Sequence, residues 1–341
     1  MSESCGTDQP SCLELCAGAG GQALGLEMAG FRHEALVEID PDACKTLRLN
    51  RPEWNVIEGD LRVFDAAPYE GVDLVAGGVP CPPFSRAGLR LGEDDERDMF
   101  PFALSIVEVV RPRAVMLENV KGLLSPAFAG YRQRIDERFR DLGYEPMWKL
   151  LYASDFGVPQ LRPRVVCVAL LPKYVPYFIW PSTSLDTART VGEALYTEMA
   201  SHGWAGAMAW ALKANRVAPT IVGGSKRHGG PDLGPTQARL AWKELGVEGG
   251  TIAAEPPGPD FEGLPRLTVR MTATIQGFPS DWELFGKKTT AYRQVGNAFP
   301  PPVAAAVARQ IRIALTGSVG SGAIHQPRMA LLEESLPYVV S

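Results

Sequence analysis

Residues 72–85 read VDLVAGGVPCPPFS, and this stretch decides how the rest of the chain is interpreted. It begins with an apolar run, which is typical of a buried parallel strand that ends at a ligand crevice. Gly77 and Gly78 let the backbone turn sharply there, and Pro80 fixes φ just before a cysteine. Cys81 therefore stands on a stiff loop, where it is either a nucleophile or a small buried hydrophobic residue.

The composition is that of an ordinary globular protein, with 341 residues of which 45% are hydrophobic and 21% charged. This length allows one large α/β domain or two domains. No apolar run reaches the length of a membrane span and the amino terminus is polar and acidic, so we expect a soluble, cytoplasmic protein. The six cysteines form no CxxC pair and only four histidines are present, which argues against metal sites and disulfides. A net charge of −5 argues mildly against a protein coated with nucleic acid but allows a locally basic cleft.

A second glycine-rich turn follows a short strand predicted at residues 11–15. Residues 16–21 read CAGAGG and lead into a helical pattern. A strand, a glycine turn and a helix make a nucleotide-type site, because the amino end of the helix faces the ligand. Glu38 lies about 20 residues after Gly18, the spacing at which an acid meets ribose hydroxyls. Asp60 follows the third predicted strand, and these features fit an NAD site as well as an S-adenosylmethionine site.

Two later strand ends add polar groups to the same edge of the predicted sheet. A strand at residues 114–117 delivers Glu118, which is either a functional acid near Cys81 or an acid at the amino end of a helix. Arg162 and Arg164 head another strand and point to one face. They can hold a planar carbonyl group or form a solvated pair at the sheet edge.

The character of the sequence changes after residue 171. Up to about residue 264, strand–helix alternation fades and Pro, Gly and Trp become frequent, which indicates an irregular insert. Residues 223–230 form a basic, glycine-flanked loop suited to phosphate and base-edge contacts, although acids and bases nearly cancel over the insert. Residues 218–222 are a strand candidate. An alanine-rich helix at residues 304–315 is expected to pack back onto the first domain.

Six motifs in this sequence resemble those of the DNA cytosine-5 methyltransferases. Each motif is modest alone, but six in the family's order across nearly 290 residues make a specific signal. They are ELCAGAGG at residues 14–21, PCPPFS at 80–85, ENV at 118–120, QLRPR at 160–164, QGFP at 276–279 and QVGN at 294–297.

The resemblance implies an α/β fold with a doubly wound, mostly parallel sheet and a smaller inserted target-recognition domain. It assigns residues 10–171 and 289–316 to a catalytic domain that binds S-adenosylmethionine, and residues 172–288 to target recognition. Residues 317–341 would be a flexible tail. DNA would lie in the crevice between the two domains.

The resemblance also implies a reaction, methylation of C5 of a cytosine flipped out of a specific double-stranded DNA sequence. Cys81 would attack C6 of the ring. Glu118 would bind N3 and the exocyclic amine; to protonate N3 it must carry a proton, so burial should raise its pKa. Arg164 would meet O2, and Arg162 would orient Glu118 and the cysteine loop.

S-adenosylmethionine is the cofactor that the resemblance implies. Glu38 would bind its ribose, Asp60 its adenine amine, and the glycine turn its methionine end. The full set of implied contacts is Cys16, Ala17, Gly18, Gly20, Gly21, Glu38, Ile39, Asp60, Leu61, Pro80, Phe100, Asn297 and Ala298. Cys16 replaces an aromatic residue that is usual in the family, and Ile39 a common tryptophan, so we expect weaker cofactor binding than the family norm.

The implied DNA contacts come from two loops. Residues 86–98 are either a lid that closes over the DNA or a long exposed connection, and the second loop is the basic loop of the insert. The predicted contact residues are Ser85, Arg86, Arg90, Arg97, Lys226, Arg227 and His228. We further expect a monomer associated with the nucleoid and, by analogy alone, a cognate restriction endonuclease.

Other functions stay open at this point. A tRNA cytosine-5 methyltransferase has the same architecture, but its Cys-Phe-Thr signature does not occur in this sequence. An NAD-dependent oxidoreductase accounts for the glycine turn and Glu38 but leaves Cys81, Glu118 and the arginine pair unexplained. A catalytically inactive DNA-binding module is disfavoured because every catalytic position is filled.

Overall fold

The computed structural model describes residues 9–80, 98–182, 189–223 and 230–317. In these ranges the strands are β1 Ser11–Leu15, β2 Arg32–Glu38, β3 Val56–Glu58, β4 Leu74–Gly77, β5 Ala114–Val120, β6 Glu145–Tyr152 and β7 Pro163–Leu170. The α-helices are α1 Gly21–Met28, α2 Pro41–Asn50, α3 Phe100–Val110, α4 Ala129–Asp141, α5 Val191–Ala200, α6 Ala207–Lys213, α7 Thr236–Glu244, α8 Val269–Gln276, α9 Lys288–Asn297 and α10 Pro301–Thr316. None of these helices is long and apolar enough to cross a membrane.

The strands form one seven-stranded sheet in the order β3-β2-β1-β4-β5-β7-β6. Neighbouring strands are parallel except at β7, which runs antiparallel to both β5 and β6. The direction of winding reverses between β1 and β4, and ligands of such sheets bind beyond the carboxyl ends of the strands at that point. The predicted doubly wound, mostly parallel sheet is therefore confirmed.

Local signals account for the ends of the helices near this edge. Asp40 caps α2 by accepting a hydrogen bond from Asp42 N at 3.0 Å. Thr268 caps α8 by accepting one from Met271 N at 3.2 Å. Gly277 then ends α8 in the left-handed conformation, with φ of 89°.

Both faces of the sheet are buried, because alternate residues of a strand enter opposite cores. Leu13 and Leu15 of β1 pack with α3 and α4 on one face, whereas Cys12 packs with α10 on the other. Helix α10 also contacts α1, and Arg312 Nη1 donates a hydrogen bond to Ala29 O at 2.9 Å. The predicted packing of this last helix against the first part of the chain is confirmed.

A third core lies among α5, α6, α7, α8 and α9. Trp242 and Tyr292 are completely buried in it. Most of its buried residues come from the irregular insert, and Leu267, Met271, Ile275 and Tyr292 come from the chain after it. Its helices are short, between 7 and 10 residues long.

The prediction of a strand at residues 218–222 is wrong. Ala218 makes a single isolated bridge with Gln160, and no ladder follows. Pro219 has no N–H to donate to a neighbouring strand. The Ile221 N–H bonds to the Gln160 side chain instead, at 2.8 Å, so this segment packs into the third core as irregular chain.

We predict that Gly25→Ala destabilises the protein although it lies inside α1. Alanine in place of a helical glycine normally stabilises by about 1 kcal/mol. Here the added Cβ would collide with Ala304 and lie 2.7 Å from Pro301 O of α10. Overpacking of this kind costs about 1–3 kcal/mol, so the midpoint of urea denaturation should fall. Gly258→Ala is the matched control because no heavy atom lies within 4 Å of its Cβ position; a raised midpoint for Gly25→Ala would contradict the prediction.

Candidate active site

The turn between β1 and α1 holds its backbone in conformations that glycine adopts freely. Gly18 and Gly20 have φ of 55° and 86°, and Cys16 before them has φ of 53°. The turn is also crowded, because a Cβ on Gly21 would collide with Phe299 O. The glycines therefore leave a strip of bare backbone at the carboxyl end of β1.

Glu38 closes this turn from the neighbouring strand. Its Oε2 accepts a hydrogen bond from Gly18 N at 2.7 Å, and its Oε1 accepts one from Asp40 N at 2.8 Å. Burial raises the pKa of the Glu38 carboxyl, and these two N–H donors oppose that shift. The carboxyl is thus fixed at the carboxyl end of β2 with part of its acceptor capacity still free.

A cavity of about 480 Å³ opens at this edge of the sheet. Eleven of the thirteen residues predicted to contact a cofactor line it, and so does Glu118. Those eleven are Cys16, Ala17, Gly18, Gly21, Glu38, Ile39, Asp60, Leu61, Pro80, Asn297 and Ala298. The structure thus gathers residues from four separate motifs around one space.

Gly20 and Phe100 are not among the residues that line this cavity, and their contacts with a cofactor stay predictions. Phe100 is 1% exposed, and its ring packs edge-on against Tyr131 with the ring centroids 6.0 Å apart. Met99, the residue before α3, lines the cavity. Phe100, the first residue of α3, turns its side chain into the core. Gly20 lies on the side of the turn that packs against α2, where an added Cβ would lie 2.8 Å from the Leu47 side chain.

Ile39, Asp60 and Leu61 line the cavity beyond β2 and β3. Ile39 is 59% exposed and offers an aliphatic surface. Arg62 pairs with Asp60, with Nε 2.9 Å and Nη2 2.5 Å from Oδ2. This side-chain hydrogen bonding holds the pKa of the Asp60 carboxyl below its usual value. Arg62 itself lines the cavity and was not predicted from the sequence.

Glu118 and Arg164 face each other across β5 and β7. Arg164 is paired with Val120, two residues beyond Glu118, so the two side chains share a face of the sheet. Arg164 Nε lies 2.7 Å from Glu118 Oε1, and both side chains are about nine-tenths buried. Burial raises the pKa of the Glu118 carboxyl, and the charges of Arg164 and Arg162 oppose that shift. The direction agrees with the expectation for this carboxyl.

Two contacts place Glu118 beside the end of β4. Glu118 Oε2 lies 3.2 Å from the point where a Cβ on Gly78 would stand. Asn119 Nδ2 donates a hydrogen bond to Val79 O at 2.9 Å. Pro80, the last described residue before the predicted nucleophile, lines the same cavity as Glu118. The chain therefore enters the cysteine loop next to this carboxyl.

Arg162 has a different set of partners from the one expected. It is fully buried with φ of 23°, and its Nη1 donates to Ile221 O at 2.7 Å. Its Nη2 donates to Gly296 O and Ala298 O, both at 2.8 Å. These hydrogen bonds go to backbone carbonyls, of which Ala298 O belongs to a residue that lines the cavity, and the expectation that Arg162 orients Glu118 and the cysteine loop stays a prediction.

Two glutamines of the recognised motifs extend this buried network. Gln160 Nε2 donates to Gln276 Oε1 at 2.8 Å, and Gln160 Oε1 accepts from Ile221 N at 2.8 Å. Gln276 Nε2 donates to Ala298 O at 2.5 Å. The glutamines therefore position the segment that carries Asn297 and Ala298, a role that their sequence motifs alone did not reveal.

Several of the predicted site residues lie outside the described part of the chain. They are the nucleophile candidate Cys81 and the DNA contacts Ser85, Arg86, Arg90, Arg97, Lys226, Arg227 and His228. Their roles stay predictions.

Further residues that line the cavity were missed by the sequence analysis, among them Glu14, Gln22 and Arg293. Glu14 and Gln22 flank the glycine turn. The sequence offered one signal for these two residues, since each is a polar side chain among apolar or small neighbours. Arg293 is brought to the cavity by α9, which no local pattern indicates.

Comparison with known proteins identifies the family. Residues 11–312 match the family model described as C-5 cytosine-specific DNA methylase. The type II methyltransferase M.NgoMIV of Neisseria gonorrhoeae is 56% identical over 310 residues, which cover 90% of this chain and 98% of that protein. The type II methyltransferase M.NaeI of Lentzea aerocolonigenes is 54% identical over 334 residues, covering 95% of this chain and 81% of that protein.

Solved structures share the fold at lower identity. A putative DNA modification methyltransferase encoded within an Escherichia coli prophage superposes with a TM-score of 0.63 at 21% identity, covering 90% of this chain and 99% of that one. A DNMT2 variant from Spodoptera frugiperda gives a TM-score of 0.62 at 18% identity, covering 90% and 99%. With the family match across nearly the whole described chain, the conclusion is that this protein belongs to the C-5 cytosine-specific DNA methylase family.

Proposed function

We propose that this DNA cytosine methyltransferase moves a methyl group from S-adenosylmethionine to C5 of a flipped cytosine in a specific double-stranded DNA sequence. The transfer would proceed through a covalent bond between Cys81 and C6 of the base. One observation carries the proposal: the buried Glu118 carboxyl, paired with Arg164, lines the same cavity as Glu38 and the glycine turn. The acid that would bind the base and the acid that would bind the cofactor thus line one cavity.

The residues of the cavity fit S-adenosylmethionine. Its volume of about 480 Å³ lies in the range of about 300–1,000 Å³ that is typical of ligand sites. Glu38 would hold the ribose and Asp60 the adenine amine, and the bare backbone from Gly18 to Gly21 would approach the methionine end. The side-chain nitrogen and oxygen of the buried Gln22 have no hydrogen-bond partner among the described residues, as expected at a ligand site. When bound, S-adenosylmethionine supplies an electrophilic methyl group.

Cys81 and Glu118 would make C5 able to accept that group. The Cys81 thiolate forms a bond to C6, and the C5–C6 π electrons move onto the ring toward N3. Glu118 donates its proton to N3, so the ring becomes an enamine that is nucleophilic at C5. After methylation C5 would lose its proton to solvent, and the C5–H electron pair would form the C5–C6 double bond again. The C6–S bond breaks in the same step, its electron pair returns to the Cys81 sulfur, and N3 returns its proton to the Glu118 carboxylate. Arg164, held beside Glu118, would contact O2 of the base.

The target base must leave the helix for this chemistry, since C6 cannot be attacked within the base stack. We propose residues 172–288 as the target-recognition domain that faces the DNA, with residues 10–171 and 289–316 as the catalytic domain. The cysteine loop and the basic loop at residues 223–230 would supply the DNA contacts predicted from the sequence.

DNA containing 5-fluorocytosine tests the covalent step. Fluorine at C5 removes the proton that must leave, so we predict that wild-type protein supplied with S-adenosylmethionine forms a protein–DNA adduct that survives a denaturing gel. Cys81→Ala should form none, whereas Cys5→Ala should form it normally. Labelled methyl groups should enter duplex DNA and not tRNA, and bisulfite sequencing should locate them. Methylation of DNA by Cys81→Ala would refute the mechanism.

The role of Glu118 predicts a specific pH dependence. Its raised pKa keeps the acid protonated above the usual range of carboxyl groups, and the proton is lost as pH rises through that pKa. The single-turnover methylation rate should therefore fall on the alkaline side. Glu118→Gln should lower the rate by about 10²-fold or more and abolish this alkaline limb. The exposed Glu108→Gln in α3 should keep the wild-type profile; an unchanged limb in Glu118→Gln would assign the titration to another group.

The cavity predicts a gain in affinity from Cys16→Phe. Burial raises the pKa of the Cys16 thiol to about 12, so it stays a neutral, weakly interacting group. An aromatic ring beside the adenine would add about 1 kcal/mol, or about fivefold in the dissociation constant of S-adenosylhomocysteine. Isothermal titration calorimetry measures this constant. Cys16→Leu adds apolar volume without a ring, and an equal gain from that variant, or no gain from Cys16→Phe, would contradict the stacking argument.

A further inference from the structure

A hydrogen bond joins the two ends of the loop that carries Cys81. Met99 N donates to Pro80 O at 3.0 Å. Pro80 is the residue before Cys81, and Met99 is the residue before α3. Both residues also line the cavity. The backbone that leads into Cys81 is therefore tied to the start of α3, which follows the loop in the chain.

A buried carboxyl group fixes the start of α3. Asp98 is 5% exposed and immediately precedes Met99. Its Oδ1 accepts hydrogen bonds from Phe100 N at 3.1 Å and from Tyr131 Oη at 2.6 Å. Hydroxyl groups bound to carboxylates typically lie about 2.5–2.7 Å away, and such hydrogen bonds are roughly twice as strong as those between neutral groups. Because a buried carboxyl requires donors, the Tyr131 hydroxyl helps to hold the backbone at residue 98.

Tyr131 is a fixed donor because its ring is itself held in place. It lies in α4, and its ring packs edge-on against Phe100 and Phe128, with ring centroids 6.0 Å and 6.3 Å away. The Arg134 guanidinium lies 5.8 Å from the centroid of the same ring. Neither Tyr131 nor Asp98 belongs to any of the six sequence motifs. The motifs therefore do not account for this pair.

The position of Pro80 matters for the reaction because Cys81 is the next residue. Attack on C6 requires the sulfur to approach the carbon within about 3–3.5 Å in the correct direction, and a displacement of about 1 Å can lower a rate about 100-fold. Asn119 holds Val79, on one side of Pro80. The hydrogen bond from Met99 holds Pro80 itself.

We propose that Tyr131 is a positioning residue for the nucleophile. Its hydroxyl fixes Asp98, which fixes the backbone at the adjacent Met99. Met99 in turn fixes Pro80, the residue before Cys81. The inference rests on the proposed function, since it requires that Cys81 attacks the base. Tyr131 itself contacts neither DNA nor cofactor by this account.

The test measures how fast the covalent adduct forms. Wild-type protein and Tyr131→Phe, each saturated with S-adenosylmethionine, are mixed with a smaller amount of duplex DNA that contains 5-fluorocytosine, and the adduct is followed on denaturing gels. We expect Tyr131→Phe to form it about tenfold more slowly, because Cys81 is less well placed. The dissociation constant of S-adenosylhomocysteine should change by less than about twofold, since Tyr131 does not line the cavity.

Tyr144→Phe is the matched control. Tyr144 is 4% exposed, its hydroxyl donates to Pro112 O at 2.7 Å, and its ring packs edge-on against Phe139. This variant also loses a buried hydrogen bond, so it should be less stable than the wild type. It should nevertheless form the adduct at the wild-type rate. Equal slowing in both variants would show a general effect of a lost buried hydroxyl and would overturn the proposal.

A double-mutant cycle tests the path through Asp98. In Asp98→Asn a neutral amide oxygen replaces the carboxylate, so the hydrogen bond from Tyr131 is weaker. Tyr131→Phe should therefore slow adduct formation by a smaller factor in the Asp98→Asn protein than in the wild type. If Asp98→Asn is not folded at the assay temperature, the comparison of Tyr131→Phe with Tyr144→Phe decides.

The outcomes separate this inference from the proposed function. Equal factors in the cycle, or an unchanged rate in Tyr131→Phe alone, refute the role of Tyr131 while the wild-type adduct still supports the covalent mechanism. If the wild-type protein forms no adduct, the proposed function fails as well.

Discussion

The site depends on a guanidinium group that has no exposure to solvent. Arg162 donates to Ile221 O, Gly296 O and Ala298 O, and these carbonyls belong to segments far apart in the chain. A buried charge without partners is very unfavourable, so each carbonyl must stay in place once the side chain is buried. The head of β7, the segment at residue 221 and the end of α9 are therefore fixed relative to one another, and the end of α9 borders the cavity.

The same constraint also orients the side chain of Arg164. Arg162 has a φ of 23°, a conformation that residues other than glycine rarely adopt, and β7 begins at the next residue. Arg164 consequently enters the sheet with its side chain toward Glu118. The charges of the two arginines repel, which together with burial lowers the pKa of Arg162, and the Glu118 carboxyl between β5 and β7 offsets that repulsion. The acid and both arginines thus act as one electrostatic unit.

The sequence was sufficient for features that depend on local pattern. The strands, the glycine turn and the acids at strand ends follow from runs of a few residues, and Glu38, Asp60 and Glu118 all line the cavity. The sequence was insufficient where contacts between distant residues determine the position of a side chain. The partners of Arg162 lie 59, 134 and 136 residues away. Met99 lines the cavity and Phe100 is buried in the core. Which of the two side chains faces the cavity depends on the rotation of α3 about its axis, and a hydrophobic run does not specify that rotation.

The cavity is electrostatically suited to a cation. Its lining includes the acids Glu14, Glu38, Asp40, Asp60 and Glu118 and the bases Arg62 and Arg293. Arg62 is paired with Asp60 and Arg164 with Glu118, and Arg293 Nη2 lies 4.0 Å from Asp40. Burial raises the pKa of Glu14 and of Glu38, and no arginine or lysine of the described residues opposes these two shifts. A cationic ligand would supply the positive charge that these two carboxyl groups lack.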